Sequence, residues 1–200
     1  MNTYSPAKQV IIVALAAIGL VNSAAAYDES IDSDLSTDPN NPTSVSFALG
    51  SNPVIGTVQS PGDTRDYLTF TVGAGQALAS ILLNDYEDVS TGGPGNRGFS
   101  AIIAGSSSFV PAGGNIGSFL GSNHLDPLPP GTDILGGLAA APTGGSGFAT
   151  PLGPGTYTYH VQQTGTPLTG YSLDFIIVPE PAALLLGCCA AAVVCLRRLR

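Results

Sequence analysis

The chain has 200 residues, 26 of them glycine and 16 proline, and a formal charge of −8 from 14 acidic and 6 basic side chains. That length bounds it to one domain plus targeting pieces, and the acidic balance excludes a phosphate backbone as partner. Abundant glycine and proline with sparse charge suit short strands joined by turns.

At the N-terminus Lys8 precedes an apolar run, Val10 to Val21, and then Asn22-Ser-Ala-Ala-Ala26. A basic start, a short apolar stretch and small residues before a cut predict a secretory signal peptide over 1–26, handled by the general secretion machinery. Residues 27–43 carry Asp28, Glu29, Asp32, Asp34 and Asp38 with two prolines. So little apolar surface predicts a flexible acidic leader.

Residues 44–178 read as a β domain. Asp66–Val72 alternates, with Leu68, Phe70 and Val72 on one face and Tyr67, Thr69 and Thr71 on the other. Gln76–Leu83 and Gly98–Ala104 read as apolar strands. In Gly155–Gln162, Tyr157, Tyr159 and Val161 alternate against Thr158, His160 and Gln162, and Gly170–Ile177 alternates likewise. Weaker strand patterns fall at 44–49 and 54–59, and fainter ones at 116–120 and 132–138. No convincing helical period occurs between the two ends. The expected fold is all-β, an antiparallel sandwich.

The last element is Val178-Pro179-Glu180-Pro181, an uncharged apolar segment over 182–196, and a basic stub with Arg197, Arg198 and Arg200. Two prolines are expected to stop the final strand. Fifteen helical residues span ~22 Å, short of a ~30 Å bilayer core, so snorkelling arginines or local thinning would make up the difference. The positive-inside bias puts the arginines in the cytoplasm and the folded domain outside. All three cysteines, Cys188, Cys189 and Cys195, lie in this segment, so residues 27–181 hold no disulfide.

A proline–glutamate–proline block, a greasy helix and a basic end together resemble the PEP-CTERM sorting signal of exported bacterial proteins. The resemblance implies that exosortase recognises 178–181 and removes the helix of the 179–200 signal. It further implies an inner-membrane intermediate that passes to the cell surface or extracellular matrix of a Gram-negative bacterium making extracellular polysaccharide. A second resemblance is internal. Gly62-Asp-Thr-Arg-Asp66-Tyr-Leu-Thr-Phe-Thr-Val72, Leu152-Gly-Pro-Gly-Thr-Tyr-Thr-Tyr159 and Gly170-Tyr-Ser-Leu-Asp-Phe175 look like parts of a bacterial pre-peptidase C-terminal domain. That likeness implies a jelly-roll-like sandwich serving as a binding or spacer module.

Catalytic chemistry needs convergent polar groups, and the pattern offers few. No Gly-x-Ser-x-Gly elbow is present, and no cysteine falls in the exported part. His160 reads as a plain strand-face residue, and His124 with Asp126 lacks a third metal ligand. Gly93–Gly98 matches Gly-x-Gly-x-x-Gly, but a strand follows where a phosphate site needs a helix. Asp63 and Asp66 at one turn, and Asp85, Glu87 and Asp88 after a strand, are the candidate Ca²⁺ ligands, since Ca²⁺ takes oxygen donors from such loops. The expectation is a non-enzymatic exported surface or matrix protein. The alternatives are a Ca²⁺-dependent carbohydrate-binding module touching extracellular polysaccharide and a small secreted hydrolase.

Overall fold

In a computed structural model the described residues are 27–86, 98–107, 118–125, 128–141, 144–163 and 168–180. The predicted signal peptide, the apolar segment 182–196 with its cysteines, and the arginine stub lie outside them. So do Pro181, Glu87, Asp88 and Asp126. Among the described residues no helix is long and apolar enough to cross a membrane.

The chain is mostly β, in two five-stranded sheets. The strands are β1 (Tyr27–Asp28), β2 (Thr43–Ser44), β3 (Pro53–Val58), β4 (Arg65–Val72), β5 (Gln76–Tyr86), β6 (Phe99–Ala104), β7 (Gly121–His124), β8 (Thr132–Asp133), β9 (Gly155–Gln162) and β10 (Thr169–Pro179). One sheet runs β1-β3-β10-β5-β8 and the other β2-β4-β9-β6-β7. Both are mixed, whereas the alternation suggested purely antiparallel pairing: β1 pairs parallel with β3, and β2 with β4. The reason is the N-terminal segment, which contributes one short edge strand to each sheet.

That segment departs from the expected flexible leader. After β1 comes a one-turn helix, α1 (Glu29–Asp32), capped by the Asp28 carboxylate, which accepts the Ser30 N–H. Leu35 then enters the core with 1% of its surface exposed, and the Ser36 carbonyl accepts the Tyr67 N–H. One buried leucine and a few strand bonds order a stretch whose acids had suggested solvation. A second short helix, α2 (Leu135–Ala139), buries Leu135 and Leu138 where a faint strand pattern had been read.

The inner faces meet in one apolar cluster. Val54, Leu78, Ile81, Leu83 and Leu173 of the first sheet pack towards Leu68, Val72, Ile102 and Val161 of the second. Phe175 joins them, its ring 5.4 Å from Phe70 and 5.3 Å from Tyr159. The predicted alternation of β4 and β9 holds for these inner residues. It fails on the opposite face, where Thr158 and His160 are also buried. Tyr67, Phe99 and Phe119 surround the His160 ring at 5.2–5.6 Å and cover it.

The final strand continues through Pro179, which pairs with Gln76, and the Glu180 N–H bonds to the Gly75 carbonyl. The expected proline stop is therefore displaced. Ile177 exchanges both backbone bonds with Gly50, on the side away from β5. Two residues later the nitrogen of Pro179 faces that same side. The ladder there has already ended, so the missing N–H leaves nothing unpaired.

Candidate acidic site between the N-terminal segment and the sandwich

Turn and strand bring three acids together at the mouth of the sandwich. One oxygen each from Glu29, Asp34 and Asp66 lie within 4.8 Å of one another. Glu29 is held by the backbone: its Oε1 accepts the Leu35 N–H at 3.0 Å and its Oε2 the Thr57 N–H at 2.6 Å. Asp34 is exposed, and Asp66 near the start of β4 is fully buried. Tyr171 of β10 donates its hydroxyl to Asp66 Oδ2 at 2.7 Å. Asp66 Oδ1 is buried without a hydrogen-bond partner, and so is Oδ1 of the half-buried Asp63.

Gly56 on β3 makes the close approach possible. A β-carbon there would run into the Tyr171 hydroxyl and meet Glu29 Cδ at 3.0 Å. An open groove of about 400 Å³ lies beside the acids, bounded by Asp28, Glu29, Asp34 and Thr57.

The electrostatics follow from crowding like charges in a dry place. Burial, and then the charge of Glu29, push Asp66 up to about 9, although the Tyr171 hydrogen bond pulls the other way. Burial, with Asp34 and Glu29 nearby, pushes Asp63 up to about 6. Burial also raises Glu29, against the two backbone hydrogen bonds that favour its charged form. Such a site holds protons or a cation, since a buried carboxylate without a counter-charge is costly.

The donor set fits a divalent cation that prefers oxygen. Ca²⁺–oxygen distances of ~2.3–2.6 Å put oxygens on opposite sides of the ion ~4.6–5.2 Å apart. The separations among these three acids fall within that limit.

Of the ligands read from sequence, Asp66 falls in the cluster, and Asp63 lies near enough to feel the charges of Asp34 and Glu29 without being one of its three acids. Asp85 is exposed near the end of β5 and is not among the clustered acids; Glu87 and Asp88 lie outside the described residues. Glu29 and Asp34 were missed because they sat in a segment read as solvated. The available signal was Leu35, an apolar residue immediately after Asp34 in an otherwise polar stretch. His124 ends β7 exposed, its ring 6.0 Å from Phe99. His160 has no hydrogen-bond partner on either nitrogen, and burial lowers its affinity for a proton to about 3. Of the residues read from sequence as a sorting motif, Val178 and Pro179 end β10 and Glu180 follows it.

No family model matches this chain, and neither a curated protein nor a solved structure is significantly similar to it.

Proposed function

We propose that the chain is a non-enzymatic exported protein of the cell surface or extracellular matrix, a jelly-roll-like sandwich sorted by exosortase through residues 178–181. The observation that carries this reading is the run from Val178-Pro-Glu-Pro181 into fifteen uncharged residues and a triple-arginine end. The end of β10 at Pro179, paired with Gln76, agrees with this reading, since the last described strand stops within these residues. In this reading the N-terminal 26 residues direct export and the C-terminal helix holds the protein at the inner membrane until processing. Replacing Pro179 and Pro181 with alanine should leave full-length chain in the membrane fraction of the native host. Unchanged processing of that variant counts against the sorting reading.

A second reading, supported by the orphaned Oδ1 atom of Asp66, is that Ca²⁺ binds at Glu29, Asp34 and Asp66, with Asp63 close enough to feel the same charges. When bound, the ion supplies the counter-charge these carboxylates lack and ties residues 29–34 to the start of β4. Asp66 is too deeply buried to offer a bound ion to a sugar, so the role fits a structural clamp. Calorimetry with Ca²⁺ on the full chain tests this. Heat that disappears in Asp66→Asn supports the clamp, and no heat from the wild type discards it.

A further inference from the structure

The outer face of the second sheet carries a patch of a different chemistry from the acidic mouth. Thr69 and Thr71 of β4 stand opposite Thr158 and Thr156 of β9. Ser44 of β2 stands beside Thr69 on the other side. The Val45 N–H bonds to the Thr69 carbonyl and the Gly105 N–H to the Thr156 carbonyl, which extends the patch to Ser46 and Ser106 at its two flanks. Between them is an open groove of about 380 Å³ lined by Ser44, Ser46, Thr69, Thr71, Ser106 and Thr156, with Val45 and Phe47 as its apolar wall. No charged side chain lines it, in a chain of net charge −8.

We propose that this groove binds a neutral polysaccharide chain. A pyranose ring is amphipathic, with a rim of hydroxyls and faces of C–H. The serine and threonine hydroxyls each offer one donor and two acceptors that rotate to suit a partner. Those of Ser44, Ser46, Thr71, Ser106 and Thr156 reach solvent. The Thr71 and Thr156 hydroxyls already share one hydrogen bond at 3.1 Å, which sets their spacing across the strands. Thr158 is committed to the Gly105 carbonyl and sits beneath the patch. Phe47 packs on the core rings of Phe70 and Phe175, with ring centres 4.8 and 4.9 Å away, which fixes the apolar edge of the groove. The volume falls in the ~300–1,000 Å³ range of small-ligand sites. An anionic glycan gains nothing from this lining and is repelled by the surrounding acidic domain.

The site lies away from the acidic mouth. Asp66 and Thr71 are five positions apart on β4, ~17 Å along the strand. Asp66 contacts Tyr171 of the facing sheet, while Thr71 is exposed. Sugar binding is therefore independent of Ca²⁺. It is also independent of the proposed processing, since neither terminus takes part.

The test is isothermal titration of the full chain, in a detergent without a sugar headgroup, with maltohexaose, cellohexaose and hexa-N-acetylchitohexaose. Hexagalacturonate serves as the anionic comparator, and the titrations are repeated in EDTA. Saturable binding of at least one neutral hexasaccharide is expected, unchanged by EDTA and absent for the galacturonate. The Thr71→Val/Thr156→Val variant keeps strand propensity and should melt as the wild type does while binding about tenfold more weakly. Ser106→Ala should weaken binding to a smaller degree and serves if the double variant misfolds. The proposal is overturned by absence of binding for all three neutral sugars at about 10 mM, or by wild-type affinity in both variants. Loss of binding in EDTA also overturns it, because the sugar would then sit at the acidic site. Equal binding of the galacturonate removes the argument from charge and overturns it too.

Discussion

Tyr171 and Asp66 join the two sheets through a single buried hydrogen bond, the phenol of β10 donating to Oδ2 of β4 at 2.7 Å. They are 105 residues apart in the chain. Replacing Tyr171 by phenylalanine removes the donor and leaves the carboxyl with neither oxygen paired. The expected cost is about 1–3 kcal/mol, the penalty of an unsatisfied buried polar group, read as a lower denaturation midpoint with unchanged slope. Wild-type stability for Tyr171→Phe would mean that the bond contributes nothing net.

The acid cluster has a pH signature of definite sign. Asp63 and Asp66 take up protons more readily in the folded chain than their ordinary value of 3.8, at about 6 and about 9. The stability they contribute is fully present below about pH 4 and is lost as pH rises through 6 and towards 9. The chelated protein should melt at lower temperature at pH 9 than at pH 5. Added Ca²⁺ should raise the melting temperature at pH 8 and leave it unchanged near pH 4, where protons occupy the site. Asp66→Asn should flatten the alkaline part of the profile.

His160 acts at the other end of the scale and with the opposite sign. Burial among Tyr67, Phe99 and Phe119, helped by the charge of Arg65, holds it neutral down to about pH 3. An unfolded histidine takes its proton near 6.5, so this contribution is present above that pH and disappears as pH falls from 6.5 towards 3. Its two ring nitrogens have no partner. His160→Leu should therefore be as stable as the wild type or more so at pH 7, and should lose less stability on acidification between pH 6 and 4. A steeper acid loss in His160→Leu would contradict this.

Leu35 anchors the N-terminal segment. Truncating it to alanine deletes a core side chain with 1% of its surface exposed and should cost about 2–5 kcal/mol. The same change loosens the hold on Glu29, which bonds the Leu35 N–H. Ca²⁺ affinity should fall together with stability, and limited proteolysis should cut within 29–36 before the rest of the domain.

The strands of this fold were readable because their signals are local. Gly155–Gln162 coincides with β9, and Asp66–Val72 with all but the first residue of β4. The inward alternation of Leu68, Phe70 and Val72 follows from the pleat alone. What escaped was whatever depends on a partner distant in the chain. β1 and β2 are two residues each and exist only because β3 and β4 offer open edges. Pro179 remains in a strand because the neighbouring ladder has ended at Gly50. Thr158 and His160 look like solvent-facing residues until Phe119 and the Gly105 carbonyl close over them.

The candidate sites divide along the same line. Sequence alone determined the apolar runs at the two ends, the shortage of cysteine and basic residues between them, and the closeness of Asp63 and Asp66 in the chain just before and at a strand. Local pattern and composition suffice for those properties, because each is a property of a short stretch of chain. Only tertiary structure joined Glu29 and Asp34 to Asp66, buried one of its oxygens without a partner, and aligned Thr71 with Thr156 across two strands. Burial and cross-strand register arise when segments tens of residues apart exclude water from each other, and no single stretch encodes that alone.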